Sequence, residues 1–313
     1  MRVVSLGAGA IGGYYGGRLL QAGGDVSFLV RPQRLKLLRE HGLNIKSPAY
    51  GDYAHLSVSA FTAEQSREQR PFDVVMLTCK AYDLDTAMDS IAPFVEQGAT
   101  ILPLLNGLAH LEILNRRFGQ INVWGGLAKI AATLLPDGTI QHLNDWRYVT
   151  FGAQDGAIDP RLEALKEAFD RTNIVATLAT DVMARMWEKF VHLATVASMT
   201  CLMRASVGEI ARTTHGSGQM LEMFTVMVEM AKRAGYPVSK DFEAEYYDLF
   251  RNKASGYTAS MLRDLEKGGR IEADHIIGFA DGKAREFAIN APVLSAAFTH
   301  VKAYEERRAS RRL

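Results

Sequence analysis

Apolar and polar positions follow two different rhythms in this chain. In its first half, short β-type runs alternate with stretches of helical period. The runs Val3–Leu6, Asp25–Val30, Val74–Thr78, Thr100–Leu105, Ile121–Trp124, Thr139–His142 and Tyr148–Phe151 predict strands. Between several of them, Ile11–Ala22, Pro32–Glu40, Leu84–Phe94 and Leu108–Arg117 carry apolar residues at helical spacing. Strands alternating with helices in this way point to a doubly wound, mostly parallel sheet. Pro136-Asp137-Gly138 and the stretch Asn144–Arg147 are turn signals, and predict antiparallel additions at one edge of that sheet. Beyond about residue 180 the β pattern stops. Asp181 opens a long helical pattern through Trp187, Phe190 and Leu193. Ser217–Ala234, Lys240–Asn252, Ser260–Lys267, Asp274–Phe287 and Val293–Tyr304 continue it, punctuated by Gly235-Tyr236-Pro237 and Asn290-Ala291-Pro292. The expected fold is an α/β N-terminal Rossmann-type doubly wound sheet (residues 1–178) followed by an all-α C-terminal domain (residues 179–313).

The junction between the first strand and the first helix carries chemistry. It reads Gly7-x-Gly9-x-x-Gly12. Gly7 permits the tight turn, Gly9 lets a diphosphate approach the backbone, and Gly12 lets the helix lie close to the strand. The first helical N–H groups, around Ala10 and Ile11, and the positive end of the helix dipole then face an anion. The motif is weak alone, but here it follows a β-type segment directly, which is the context a dinucleotide site requires. At the end of the second predicted strand stands Arg31, where an NAD-binding unit usually has an acidic residue for the ribose 2′-OH. An arginine there pairs instead with a 2′-phosphate, favouring NADP(H) over NAD(H) and disfavouring FAD; the plainer alternative is a solvated arginine opening a helix.

Composition narrows the partners. The 313 residues carry 36 Lys and Arg against 35 Asp and Glu, a formal net charge of +1, which gives no reason to expect nucleic acid. No apolar run is long enough to span a membrane. The first strand begins at the initiator Met with no leader before it, and Cys79 and Cys201 form no CxxC pair, so both read as buried thiols of a cytoplasmic protein. The histidines are scattered without metal-ligand spacing, and no metal is expected. Met220, Met223, Met227 and Met230 lie on one helical face, which suits a core or a homodimer surface.

Several segments, in order and spacing, resemble the ketopantoate reductase (2-dehydropantoate 2-reductase) family: Gly7-Ala8-Gly9-Ala10-Ile11-Gly12-Gly13, Leu77-Thr78-Cys79-Lys80-Ala81-Tyr82, Leu105-Asn106-Gly107, Trp187-Glu188-Lys189-Phe190, Ser260-Met261-Leu262-Arg263-Asp264 and Ile271-Glu272-Ala273-Asp274. The resemblance covers nearly the whole chain. It implies NADPH-dependent reduction of a small 2-oxo acid, ketopantoate, to a 2-hydroxy acid. It assigns Lys189 as the general acid, which by itself could be a surface lysine beside Trp187. Glu272 becomes the active-site glutamate, touching substrate and cofactor, where the alternative is a surface ion pair with Lys267 or Arg270. Ser260 meets the substrate carboxylate, or else merely caps a helix. Asn106 contacts cofactor and substrate, or else forms an Asn-Gly turn. Lys80 approaches the cofactor ribose, or else is a loop lysine.

One departure stands out. Aligned from Lys189, the positions where the family usually supplies two asparagines for the substrate's hydroxyls are Leu193 and Ala197. Apolar side chains replace neither an amide donor nor its acceptor. Helical steps of four and eight put both on the face that carries Lys189. His192 and Thr195 are polar but lie at other angles. This motivates an alternative substrate, a more apolar 2-oxo acid or ketone. A non-catalytic NADP(H) sensor would lack Lys189 or Glu272, and both are present.

Overall fold

The computed structural model describes residues 1–312. The chain divides into two compact units: Met1–Leu105 with His110–Val182, and Asn106–Ala109 with the chain from Met183 onward.

The first unit contains β1 (Arg2–Leu6), β2 (Asp25–Leu29), β3 (Leu43–Lys46), β4 (Tyr53–Leu56), β5 (Ser59–Phe61), β6 (Val74–Leu77), β7 (Thr100–Pro103), β8 (Trp124–Lys129), β9 (Ala132–Leu134), β10 (Ile140–His142), β11 (Tyr148–Ala153) and β12 (Val175–Leu178). Its helices are α1 (Ala10–Gln21), α2 (Pro32–His41), α3 (Leu84–Glu96), α4 (Ala109–Phe118) and α5 (Pro160–Asp170). The main sheet is parallel throughout, in the order β5-β2-β1-β6-β7. Strands β6 and β7 are buried along their whole length, as continuous apolar runs in a covered parallel sheet should be.

The antiparallel pairs differ from expectation. They lie in two further sheets, β4-β3-β10-β9 and β12-β11-β8, and only the second meets an edge of the main sheet, through a single parallel bridge between Ile101 of β7 and Val123 just before β8. The β9–β10 hairpin turns at Pro136-Asp137-Gly138, with Gly138 at φ +84° and the Asp137 carboxylate accepting from the Thr139 N–H at 2.8 Å. The run Ile121–Trp124 is not a strand. Gln120–Asn122 makes a 3₁₀ turn with Ile121 exposed, and the strand starts at Trp124.

Helix α1 is packed between two of these sheets, and glycine makes that possible. A side chain at Gly16 would meet the Phe28 ring of β2, and one at Gly17 would meet Leu43 and Ile45 of β3. At Gly13 it would strike Ile140 of β10. The buried His142 Nδ1 lies 2.9 Å from Ser47 Oγ and 3.2 Å from Tyr14 Oη, joining β10 to this helix.

The second unit is helical: α6 (Val182–Met203, whose first residue belongs to the first unit), α7 (Val207–Ala211), α8 (Gly216–Arg233), α9 (Lys240–Arg251), α10 (Ser260–Glu266), α11 (Phe279–Glu286) and α12 (Pro292–Ala309). The expected helix Asp274–Phe287 is interrupted, because Asp274–Gly278 forms a π-helical turn before α11. Met220, Met223, Met227 and Met230 are buried inside the chain, so this face is core and not a dimer surface. Cys201 is buried as expected and its thiol is pushed up to about 12 by that burial, whereas Cys79 is only half-buried. Among the described residues no helix is long and apolar enough to cross a membrane, and no cluster of His, Cys, Asp and Glu is suited to a metal ion.

Candidate active site

The glycine turn after β1 is held by bonds to its main chain. Gly7 sits at φ +98° and donates its N–H to the Leu29 carbonyl at 2.9 Å. Three successive carbonyls of the turn each accept from a side chain. Thr78 Oγ1 donates to Leu6 O at 2.8 Å, and Ser5 Oγ to Gly7 O at 3.0 Å. Arg34 donates Nε and Nη2 to Ala8 O at 3.1 and 2.8 Å. A side chain at Gly12 would collide with the Gly7 carbonyl and the Ser5 and Thr78 hydroxyls, which explains the third glycine. Gly9 caps α1 and has open space where a Cβ would be. The N–H groups of Ala10, Ile11 and Gly12 form the first turn, which has no intrahelical acceptors and carries the positive dipole end. An open backbone approach, donors without intrahelical acceptors and no acidic side chain in the first turn fit the diphosphate of a dinucleotide.

Arg31 ends β2 and caps α2 in extended backbone, with Pro32 at the first helical position. Its side chain is 80% exposed, and Nη2 pairs with Asp83 Oδ2 at 2.8 Å. It is therefore both exposed and ion-paired. Lys80 is exposed at the start of the 3₁₀ turn Ala81–Asp83, the turn that carries Arg31's partner. Arg34 and Asp83 were missed from sequence. The signal for Arg34 was available, since it lies three residues beyond Arg31 on one helix face.

In the helical unit, Asn106, Lys189 and Glu272 come together. Lys189 Nζ donates to Asn106 Oδ1 at 3.2 Å. The loop can approach this closely because Gly107 takes φ +84°; a Cβ there would lie 2.8 Å from the His275 carbonyl in the π-helical turn. That turn follows Glu272, whose residue is 6% exposed. Burial lowers the Lys189 ammonium to about 8, against the opposing pull of the Glu272 carboxylate. At neutral pH this lysine is mostly protonated yet gives up its proton more readily than an exposed one, as a general acid should. Ser260, half-buried, opens α10 but does not cap it, since Ala259 holds the cap position. It stands with the trio only through the family resemblance.

Leu193 on α6 keeps part of its surface, but Ala197 has none, so only the first of the two substituted positions is open. Thr195 is buried and bonds back to the Val191 carbonyl at 2.7 Å. His192 stacks on Tyr257 at 5.5 Å and on Tyr246 at 4.6 Å, all three half-buried.

Comparison with known proteins bears on the family and the fold. The family model "Ketopantoate reductase PanE/ApbA" matches residues 3–156, and its C-terminal companion matches residues 181–305. An uncharacterized oxidoreductase, YkpB of Bacillus subtilis, is 33% identical over 307 residues, covering 97% of this chain and 99% of that protein. The crystal structure of 2-dehydropantoate 2-reductase from Geobacter metallireducens superposes with a TM-score of 0.85 at 25% identity, covering 97% of this chain and 99% of that one. A ternary structure of D-mandelate dehydrogenase with NADH and anilino(oxo)acetate shares the fold, with a TM-score of 0.84 at 17% identity and 99% of each chain covered. With both family models matched in order along nearly its whole length, the chain belongs to the ketopantoate reductase family of oxidoreductases.

Proposed function

We propose that this protein reduces ketopantoate to pantoate with NADPH, in the cytoplasm, and that Lys189 is the general acid. The observation that carries this reading is the half-buried Lys189, its ammonium bonded to Asn106 and under the influence of the Glu272 carboxylate. When bound, the nicotinamide supplies a hydride to the substrate's carbonyl carbon. The chain's residues manage the oxygen. Negative charge building there is stabilised by the ammonium, which then gives up a proton. Asn106 orients the lysine by accepting one of its N–H groups. Glu272 keeps the lysine's pKa from falling further and so keeps it charged. Ser260 binds the substrate carboxylate.

For the cofactor, the turn of Gly7, Gly9, Ala10, Ile11 and Gly12 holds the diphosphate, and the family resemblance gives Lys80, Asn106 and Glu272 to the ribose and nicotinamide. Arg31 takes the 2′-phosphate, releasing Asp83 as it does so. That exchange is cheap, because an exposed ion pair contributes about 0–1 kcal/mol.

A second reading keeps this chemistry and changes the substrate to a more apolar 2-oxo acid. Leu193, an apolar side chain with part of its surface open where the family usually has an asparagine, favours it. Following NADPH and NADH oxidation with ketopantoate and with 2-oxoisovalerate, and identifying the 2-hydroxy acid formed, tests both. Preference for ketopantoate supports the first reading, and preference for 2-oxoisovalerate the second. Failure to reduce any 2-oxo acid, by protein that binds NADPH, would overturn the reductase assignment.

A further inference from the structure

Arg34 has a function beyond the helix it sits on. It is the third residue of α2, and both Nε and Nη2 reach back to a single atom, the carbonyl oxygen of Ala8. Ala8 lies between the first two glycines of the turn. Two donors on one oxygen restrain that carbonyl in direction as well as distance. The peptide is planar and trans, so its N–H, which belongs to Gly9, must point the opposite way. Gly9 is also the glycine with open space around its α-carbon.

The arginine is itself restrained. Gly138, in the β9–β10 hairpin turn, lies so close that a Cβ there would strike Nη1, and the neighbouring Asp137 carboxylate balances the guanidinium charge. Arg34 is half-buried, in contrast to Arg31. The hairpin thus backs the guanidinium, the guanidinium fixes the Ala8 carbonyl, and the carbonyl aims the Gly9 N–H.

We propose that Arg34 is a positioning residue for cofactor binding, which orients the Gly9 N–H towards the diphosphate by holding the Ala8 carbonyl. This rests on the reading of the glycine turn as a diphosphate site. The diphosphate is common to NADPH and NADH, so Arg34 serves both alike, whereas Arg31 serves only the phosphorylated one. Lysine cannot replace it fully, because a single ammonium offers no planar fork.

The test is a fluorescence titration of NADPH and of NADH, with thermal unfolding run in parallel to verify the fold. The proteins are the unaltered chain, Arg34→Met, Arg34→Lys, Gly138→Ala and Arg31→Ala. Arg34→Met keeps the aliphatic stem but removes the charge-assisted bonds, and should weaken both cofactors by the same factor, about tenfold or more. KM for both should rise more than kcat falls, and Arg34→Lys should recover part of the loss. Gly138→Ala, which displaces the guanidinium without removing it, should also weaken both equally, and it carries the test if Arg34→Met does not fold. Unchanged Kd values in the folded variants overturn the proposal. Loss confined to NADPH also overturns it, because Arg34 would then read the 2′-phosphate. If the unaltered chain binds neither cofactor, the diphosphate reading fails as well. If it binds both and Arg31→Ala weakens NADPH alone, that reading stands whatever Arg34 does.

Discussion

The glycine turn and the lysine group are built by opposite means. In the turn, the groups that would meet a ligand are main-chain N–H groups, and side chains serve only to hold the carbonyls behind them. In the helical unit, the proposed chemistry rests on three side chains from distant parts of the chain, with Asn106 and Lys189 separated by 83 positions. The first arrangement has no titratable group of its own and depends on backbone direction. The second depends on burial, which lowers the lysine's pKa, and on side-chain contacts such as the bond to Asn106 for its orientation. Substitutions should therefore separate binding from chemistry.

The sharpest break in that contrast is Lys189→Ala. It should lower kcat by about 10²–10⁴, the usual contribution of a positioned proton donor, while NADPH titration shows binding retained. Equal loss of binding would mean that the two regions are not separable. Arg31→Ala is the reciprocal change. Losing a charge-assisted bond worth about 1.5–3 kcal/mol should weaken NADPH roughly ten- to hundredfold and leave NADH nearly unchanged, as measured by Kd.

Acidity should distinguish the regions next. With the charged lysine as the proposed proton donor, the reduction rate at saturating NADPH should be flat below about 8 and fall as pH rises through that value. Glu272 raises the lysine's pKa, so in Glu272→Gln the fall should begin at lower pH. A profile unmoved by that change would show that the carboxylate does not act on the lysine. The smallest effect belongs to the substrate. Leu193→Asn adds a donor and an acceptor at a partly open position. It should shift kcat/KM towards ketopantoate over 2-oxoisovalerate severalfold, the value of one hydrogen bond of about 0.5–1.5 kcal/mol. Ala197→Asn should instead lower Tm, because Ala197 has no free surface and overpacking costs about 1–3 kcal/mol.

What could be read in advance followed the same division. The turn and its helix were legible because their signal is local: glycines at fixed offsets after an apolar run. The long helices were legible because their apolar faces repeat over several turns. Strand β4 was not, since its residues are largely exposed and show no alternation. The strand expected at Ile121–Trp124 was misplaced because Gly125 and Gly126 interrupt the apolar pattern where the ladder with β11 runs, and Ile121 faces solvent. Two further mixed sheets could not be told from simple edge additions, because turn residues fix a hairpin but not what it packs against. No spacing announces that Asn106 meets Lys189; only the resemblance grouped them. The helical spacing from Arg31 marks Arg34 as a neighbour, but its partner is a main-chain oxygen, which leaves no trace in residue types.

The glycines of α1 have a consequence for folding kinetics. Four of the twelve residues Ala10–Gln21 are glycine, each about 1 kcal/mol poorer than alanine in a helix interior. Nucleating a helix is already costly, so this segment cannot form ahead of its surroundings and must wait for the strands on both sides. Truncations along it should speed unfolding and leave the folding rate nearly unchanged, the behaviour of a segment unformed in the transition state. The diphosphate turn, whose donors begin this helix, is then among the last parts of the unit to be assembled. Nucleotide bound at this turn should therefore slow unfolding and leave the folding rate nearly unchanged.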